Sequence, residues 1–207
     1  FERLPLECSH LYLAIEGRLA AVICVEDPLR EEAADAVREL KEAGITKVVM
    51  MTGDSERTAA AIAKRVGVDE YYSEVLPEDK ASFVEKEKKL GHKVIMIGDG
   101  INDSLALSSA SVGIAISDGA AIAREIADVT ISADNLHEIV TLKRLSTALM
   151  KRIHNNYRTI IGVNGGLIAL GVTGVIMPTT SALLHNLSTL TISLRSMRNL
   201  LPKEEEA

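Results

Sequence analysis

Two short segments of this 207-residue chain have side chains suited to holding a phosphoryl group. The run Thr52-Gly53-Asp54 offers a hydroxyl and backbone N–H groups, which can bind phosphate oxygens when they stand at the start of a helix. The run Pro77-Glu78-Asp79-Lys80 ends in an ammonium group that can neutralise phosphoryl charge. Each signal is weak alone, because the first is also typical of an ordinary strand-to-helix turn with an Asp cap, and Lys80 of a solvated helix residue.

A third segment, Gly98-Asp99-Gly100-Ile101-Asn102-Asp103, is more specific. Asp99 and Asp103 are two carboxylates directly after an apolar run, and acids beside a buried strand are costly without a counterion. Carboxylate oxygens next to a phosphate are the ligands that Mg²⁺ prefers, and Asn102 can hydrogen-bond to a neighbouring carboxylate. The order of the three segments therefore predicts a phosphoryl site with a magnesium ion.

The elements around these segments alternate between apolar runs and amphipathic stretches, which predicts an α/β fold with a parallel sheet and helices on both faces. Ligands of such sheets bind at the carboxyl ends of the strands, which points to the loops after Met51 and Ile97. A hairpin is predicted around Glu16-Gly17, from 12–15 and 19–25. The other predicted strands are 47–51, 71–75, 94–97, 112–116 and 129–131, and the predicted helices are 31–43, 55–66, 77–90, 102–109, 120–127 and 136–155.

Composition excludes several classes of function. The net charge is -6, aromatic residues make up 3%, and there is no Trp, which together argue against a nucleic-acid partner. Two cysteines are too few for a disulfide framework or a four-cysteine zinc site. Hydrophobic residues make up 47%, which is enough for a sizeable core.

Residues 159–177 contain no charged side chain, and nineteen residues at about 1.5 Å each give a helix of roughly 28 Å, close to the thickness of a bilayer core. A second, more polar stretch follows at 181–201. Basic residues flank the pair and the turn between them has none, which predicts a transmembrane hairpin with both ends in the cytoplasm. The alternative is a buried helical hairpin of a soluble protein.

The motifs MTGD at 51–54, PEDK at 77–80 and GDGIND at 98–103 resemble the second half of the phosphorylation domain of P-type ATPases. The pair of segments after them resembles the heavy-metal-transporting branch of that family, and the resemblance extends over about residues 12–201. It implies a haloacid dehalogenase-like (Rossmann-like) sheet followed by a two-helix transmembrane hairpin. It also implies ATP-driven transport of a heavy-metal cation through an aspartyl-phosphate, in a multi-pass protein of the cell membrane.

The resemblance implies a role for each motif. Thr52, Gly53 and Asp54 would contact the phosphoryl group and ATP, and Lys80 would stabilise the transferring charge. Asp99 and Asp103 would form the Mg²⁺ site, with Asn102 supporting it. The family's nucleophile lies in an Asp-Lys-Thr-Gly-Thr motif that does not occur here. Because that nucleophile is missing, we expect this chain alone to be inactive and to need the N-terminal part of the same transporter. The strand that carries the nucleophile would sit in the middle of the sheet, and without it neighbouring edges would be unpaired.

The resemblance also implies a domain plan. Residues 1–26 would end a nucleotide-binding domain with the hairpin, and 27–135 would be the second part of the phosphorylation domain, entered at the Asp27-Pro28 break. Residues 136–156 would form a linking helix that continues into the hairpin at 157–201, and 202–207 a cytoplasmic tail.

The candidates for contacts with the transported ion are polar residues of the two segments, which are functional candidates at such depth. They are Asn164, His185, Asn186, Ser188 and Thr189. His185 suits Zn²⁺, Co²⁺ or another borderline ion. The resemblance favours a divalent ion such as zinc, cobalt, cadmium or manganese over copper, because this helix does not show the Met and paired Ser residues of the copper-exporting members. The alternative is hydrogen bonding between helices. Two other functions stay open: a haloacid dehalogenase-type phosphatase, and a membrane-anchored, catalytically incomplete module that binds Mg²⁺.

Overall fold

The computed structural model describes residues 9–25, 29–99, 102–116, 125–131 and 135–200. These residues belong to two compact units, Phe1–Val140 and Thr141–Ala207. The Asp27-Pro28 break, Cys8, most of the predicted helix 120–127 and the tail 202–207 lie outside the described residues. The two units are described separately below.

The first unit begins with the predicted hairpin, which the structure confirms. Strand β1 (Ser9–Ile15) pairs antiparallel with β2 (Arg18–Val25). Glu16 and Gly17 form the turn with positive φ values of 50° and 75°. A two-residue turn with both φ values positive matches the natural twist of the strands, which explains why this short connection closes the hairpin.

The remaining strands are parallel, as predicted, but they form two groups among the described residues. Strand β3 (Val49–Met51) pairs with β4 (Glu70–Tyr72). In the second group β6 (Val112–Ile116) lies between β5 (Ile95–Gly98) and β7 (Val129–Ile131). Both β3 and β5 therefore have one strand partner each in the described part of the chain.

In the part of the first unit that the structure describes, four helices connect these strands. They are α1 (Ala33–Glu42), α2 (Glu56–Val66), α3 (Pro77–Lys89) and α4 (Ser104–Ser109). Pro77 opens α3 at a position where no N–H is needed. Gly67 ends α2 with a left-handed φ of 79°, a conformation that costs glycine little. The predicted helices at these places are confirmed, with ends that differ by one or two residues.

The core of this unit consists mainly of small side chains from the helices and β6. Fully buried residues include Ala59, Val84, Leu107 and Ala115. Close packing of α4 on β6 needs a glycine, because a Cβ on Gly113 would lie 2.6 Å from the carbonyl oxygen of Leu107. Small residues thus bring the helices near the strands whose ends carry the polar motifs.

Two helices make up the second part of the chain. Helix α5 (His137–Val172) is continuous over residues 137–156 and extends into the first apolar segment. Helix α6 (Pro178–Ser196) follows after a short turn. The Arg152 guanidinium donates hydrogen bonds to the carbonyl oxygens of Ser196 and Asn199, both at 2.9 Å. It thereby satisfies carbonyl groups at the end of α6 that have no partner within the helix.

The predicted transmembrane hairpin over 157–201 is not supported: no helix of the described residues is long and apolar enough to cross a membrane. The uncharged stretch 159–177 does not form one helix, since α5 ends at Val172. The last 18 residues of α5 include the polar residues Asn155, Asn156 and Arg158. Helix α6 contains His185, Asn186 and several hydroxyl side chains.

Candidate active site

The turn after β3 is organised by the side chain of Thr52. Its hydroxyl donates to Asp54 Oδ2 at 2.6 Å and accepts a hydrogen bond from the Asp54 backbone N–H at 3.1 Å. Asp54 is exposed and Thr52 is half-buried. Because the residues are two apart in sequence, this contact is local, and it presents Asp54 at the carboxyl end of a parallel strand. Ser55, not Asp54, is the N-cap residue of α2.

Backbone hydrogen bonds join this turn to the segment that leads into α3. The Val75 N–H donates to the Thr52 carbonyl at 3.0 Å, and the Glu74 N–H donates to the Asp54 carbonyl at 2.9 Å. Glu74 takes a positive φ of 53°, which is uncommon for a residue with a side chain. The turn after β3 and the start of α3 are therefore held together by the main chain.

Glu56, the first residue of α2, receives two side-chain hydrogen bonds from the region of β4. Ser73 donates at 2.5 Å and Tyr71 at 2.7 Å. These bonds, that of Ser73 first, hold the pKa of Glu56 below its usual range, and the same contact raises the pKa of Tyr71. The start of α2 is thus fixed beside the turn that contains Thr52.

A buried ion pair links α3 to the segment after β5. Lys80 Nζ donates to Asp103 Oδ1 at 2.7 Å, and the side chains are 15% and 11% exposed. The residues are 23 positions apart in sequence. An ion pair removed this far from water must be well aligned to offset the lost hydration, and a charge-assisted hydrogen bond at this distance meets that need.

Asp103 reaches this position because residue 98 has no side chain. A Cβ on Gly98 would lie 2.7 Å from Asp103 Cβ and 2.9 Å from Cγ, and closer still to Oδ2. Real Cβ atoms do not approach other atoms this closely. Gly98 was part of the motif, but its packing role was missed; the signal available was a glycine as the last residue of β5, directly before Asp99.

Asp99 stands exposed just past the end of β5. Its Oδ1 accepts a hydrogen bond from the Asn102 backbone N–H at 3.3 Å. The sequence predicts that Asn102 supports a carboxylate, and the contact observed here uses its backbone N–H. Asp99 is thus exposed to solvent, whereas Asp103 is bound to Lys80.

The donor set fits a magnesium ion that keeps most of its water. Mg²⁺ is usually bound by one or two carboxylates together with water and substrate phosphates, not by a cage of protein ligands. No cluster of three or more His, Cys, Asp or Glu side chains able to hold a metal occurs among the described residues. Exposed Asp99 suits a direct contact, whereas the Oδ1 atom of Asp103 is already bound to Lys80.

In the second unit, two of the five predicted ion-site residues contact each other through their side chains. His185 Nδ1 lies 2.9 Å from Asn164 Oδ1. The hydroxyls of Ser188 and Thr189 donate to the His185 carbonyl at 2.8 and 3.0 Å. Asn186 is exposed. The contact between Asn164 and His185 joins α5 to α6. It therefore fits simple hydrogen bonding between helices as well as a role in ion binding.

Residues 3–111 match the sequence profile of the haloacid dehalogenase-like hydrolases, and the chain belongs to this family. Within it, the chain is homologous to heavy-metal P-type ATPases. It is 46% identical over 176 residues to copper-transporting ATPase 2 of Rhizobium meliloti, a match that covers 85% of this chain and 21% of that protein.

Two further relatives agree. The zinc-exporting P-type ATPase of Mycobacterium marinum is 38% identical over 91% of this chain and 26% of its own length. A crystal structure of a zinc-transporting PIB-type ATPase in the E2.Pi state superposes with a TM-score of 0.82 and 31% identity, over 95% of this chain and 32% of that one. This chain spans between a fifth and a third of the length of these relatives.

Proposed function

We propose that this chain supplies part of the phosphoryl-transfer site of an ATP-driven heavy-metal cation pump that works through an aspartyl-phosphate. The observation that supports this most directly is the buried pair of Lys80 and Asp103 beside exposed Asp99 at the end of β5. The homology to heavy-metal P-type ATPases supports it independently. In this proposal the nucleophilic Asp comes from outside these 207 residues.

Lys80 would neutralise the charge of the phosphoryl group during transfer. Such transfer needs little covalent help from the protein, so positioning and charge stabilisation supply most of the catalysis. Asp103 would act by holding Lys80 Nζ in place, since an unpaired ammonium group on a four-carbon chain has many conformations. The 2.7 Å contact fixes that nitrogen before the phosphoryl group arrives.

Asp99 would be the carboxylate that holds Mg²⁺, and Asn102 would hold Asp99 through the backbone contact. When bound, Mg²⁺ would neutralise phosphoryl oxygens and orient the substrate. Thr52, Gly53 and Asp54 would bind the phosphoryl group and ATP on the other side. The space beside Gly53 supports this, because among the described residues a Cβ there would meet only the Val75 carbonyl, at 4.0 Å.

The transported ion would be a divalent cation in this proposal. The support is the imidazole of His185, which is a common ligand of zinc and cobalt. The described residues of α5 and α6 include no cysteine, whose thiolate would favour Cu⁺. The relatives include both copper and zinc transporters, so the choice of ion rests on the donor chemistry of this chain. Ser188, Thr189, Asn186 and Asn164 are the other candidates for this site.

A pump moves ions across a bilayer, so the proposal places the complete protein in a cell membrane, with the phosphoryl-transfer unit on the cytoplasmic side where ATP is available. It assigns no membrane span to the helices of this chain. The partner of the unit would be the remaining part of the same protein, which would supply the nucleophile and the other half of the ion path.

The test uses the full-length protein and measures phosphoenzyme formed from γ-labelled ATP, with and without divalent metal. We expect Lys80→Met to lower metal-stimulated phosphorylation by about two orders of magnitude or more, the size seen when a charge-stabilising group is removed. Lys89→Met is the matched control, because it lies in the same helix with a side chain that is 81% exposed. Asp99→Asn should raise the Mg²⁺ concentration needed for half-maximal activity by about tenfold or more.

Equal phosphorylation of the Lys80→Met and Lys89→Met variants would refute the assigned site. Hydrolysis of small phosphate esters without any metal-stimulated phosphoenzyme would favour the phosphatase alternative. Binding of Mg²⁺ without either activity would favour the non-catalytic module.

A further inference from the structure

The segment 73–75, which leads from β4 to α3, is bound along its whole length to the residues after β3. Three hydrogen bonds join them: the Ser73 hydroxyl donates to Glu56 Oε2 at 2.5 Å, the Glu74 N–H to the Asp54 carbonyl at 2.9 Å, and the Val75 N–H to the Thr52 carbonyl at 3.0 Å. The two bonds from N–H groups use main-chain atoms only and therefore do not depend on residue type. The bond to Glu56 depends on two side chains, so it is the part of this contact that the sequence selects.

Glu56 makes this contact with both of its carboxylate oxygens. While Oε2 accepts from Ser73, Oε1 accepts from the Tyr71 hydroxyl of β4 at 2.7 Å. A carboxylate can accept but not donate, and a hydroxyl donor on each oxygen fixes its orientation. Glu56 is also the first residue of α2, where the free N–H groups of a helix favour a negative charge. One side chain thus connects the start of α2 to β4 and to the residues after it.

The backbone of the segment 73–75 is constrained. Glu74 has a φ of 53°, in the left-handed region that residues with a side chain rarely adopt. Such a conformation persists when surrounding contacts hold it, and here the residues on both sides of Glu74 are bonded to the segment after β3. Helix α3 begins at Pro77, two residues after Val75, so the path of this segment sets where the helix starts.

The start of α3 determines the position of Lys80. This residue lies in the first turn of the helix, and its N–H donates to the Leu76 carbonyl at 3.3 Å. Its ammonium group donates to Asp103 at 2.7 Å in a place where the lysine side chain is only 15% exposed. Hydrogen bonds weaken steeply when their geometry is lost, and water has little access to replace this one. A small displacement of the first turn would therefore move Lys80 Nζ away from the position that the ion pair defines.

We infer that Glu56 is a positioning residue for phosphoryl transfer. By holding the segment 73–75 it fixes the start of α3, and thereby the place of Lys80 Nζ. This inference rests on the proposed function, in which Lys80 stabilises the transferring charge. Glu56 needs no contact with the substrate for this role. It lies outside the three sequence motifs, and the two hydroxyl donors that it joins are 15 and 17 positions away in sequence.

The experiment uses the full-length protein and measures the rate of phosphoenzyme formation over a range of ATP concentrations. Glu56→Ala removes both hydrogen bonds, and a misplaced catalytic group can slow a reaction by about a hundredfold, so we expect the maximal rate to fall by about ten- to a hundredfold. The ATP concentration for the half-maximal rate should change by less than about threefold, because charge stabilisation acts in the transition state. Glu56→Gln keeps an acceptor oxygen and adds a donor that a hydroxyl can accept, so it should recover most of the rate.

Two neighbouring tyrosines give a pair of variants that keep the aromatic ring. Tyr71→Phe removes one of the two bonds to Glu56 and should slow phosphorylation by about threefold to tenfold. Tyr72→Phe removes a hydroxyl that donates to Glu70 at 3.3 Å instead, and it should leave the rate unchanged. The comparison separates the loss of the bond to Glu56 from the loss of a hydroxyl in β4.

Reductive methylation followed by mass spectrometry reports the position of Lys80 without any need for catalysis. Lys80 should be methylated faster in Glu56→Ala than in the wild type, whereas exposed Lys89 should react equally in both. A wild type without metal-stimulated phosphoenzyme would count against the proposed function, and the methylation rates would still decide the positioning role. Unchanged methylation of Lys80 in Glu56→Ala, or equal effects of Tyr71→Phe and Tyr72→Phe on phosphorylation, would overturn the role of Glu56 and leave the pump proposal intact.

Discussion

Replacing Gly98 by alanine should break the Lys80–Asp103 pair without altering either charged residue. The new Cβ would lie 2.7 Å from Asp103 Cβ and 2.9 Å from its Cγ. These atoms are near the main chain, so they cannot swing away as the end of a long side chain can. The Asp103 side chain must move, and the 2.7 Å hydrogen bond from Lys80 will lengthen or break.

The expected cost follows from two contributions. Forcing an extra methyl group into a packed site costs about 1–3 kcal/mol. Losing a hydrogen bond between charged partners costs about 1.5–3 kcal/mol, and these side chains are 15% and 11% exposed, so water replaces it poorly. One displacement of Asp103 causes both the packing cost and the lost hydrogen bond, so their sum overestimates the total loss of stability. We expect a loss of about 2–4 kcal/mol. For a chain of this size that lowers the melting temperature by roughly 5–15 °C.

Thermal and urea unfolding followed by circular dichroism measures this cost. Gly53→Ala is the matched control, because its Cβ would meet only the Val75 carbonyl at an ordinary 4.0 Å. We expect that change to alter stability by less than about 1 kcal/mol. Repeating Gly98→Ala in an Asp103→Gly background should reduce its cost to near zero. A cost below about 0.5 kcal/mol, or the same cost in both backgrounds, would refute the packing argument.

Two further predictions concern contacts outside the candidate site. Asp69 accepts hydrogen bonds from Lys41 and the Val48 N–H, which hold its pKa below the usual range. The ionised Asp69 therefore contributes its full stabilisation of the fold above the pKa of an unfolded Asp. This stabilisation is lost as the pH falls through the lower pKa of the folded state. Asp69→Asn should therefore lower the melting temperature at pH 7 but scarcely at pH 2. Arg152→Gln should speed amide hydrogen exchange by about tenfold near the end of α6, while exchange early in α6 stays unchanged. The same exchange rates as in the wild type at both ends of α6 would contradict the role of this residue as a helix cap.

The sequence was sufficient for contacts that are local or that follow from periodicity. The hairpin at Glu16-Gly17, the parallel strands and the helix ends follow from turn chemistry and the spacing of apolar residues. The bond between Thr52 and Asp54 spans two residues, so the motif already contains it. By contrast, the Lys80–Asp103 pair spans 23 residues and depends on how α3 packs, which no local pattern specifies.

The second unit shows where composition misleads. The absence of charge over 159–177 predicted one spanning helix. That prediction from length assumes that the helix continues to the end of the apolar run. Gly174 takes a φ of 75° and the helix has already ended at Val172, so part of the apolar run forms the turn. The clasp of Arg152 on the end of α6 was also missed, because its partners are 44 to 47 residues away and are backbone carbonyls, which have no residue-type signal.

Helix α3 explains how segments from two separate groups of strands can form one site. Just before the helix, the Val75 N–H donates to the Thr52 carbonyl after β3. In the middle of the helix, Phe83 packs on Tyr72 of β4 with ring centres 5.2 Å apart. One turn into the helix, Lys80 is bound to Asp103 beyond β5. A helix is stiff over 13 residues, so a displacement of either strand group relative to the other must shift Lys80 against Asp103 or Val75 against Thr52. The geometry of the ion pair is therefore sensitive to how these strand groups are held together, and Lys80 is the residue through which that arrangement would affect phosphoryl transfer.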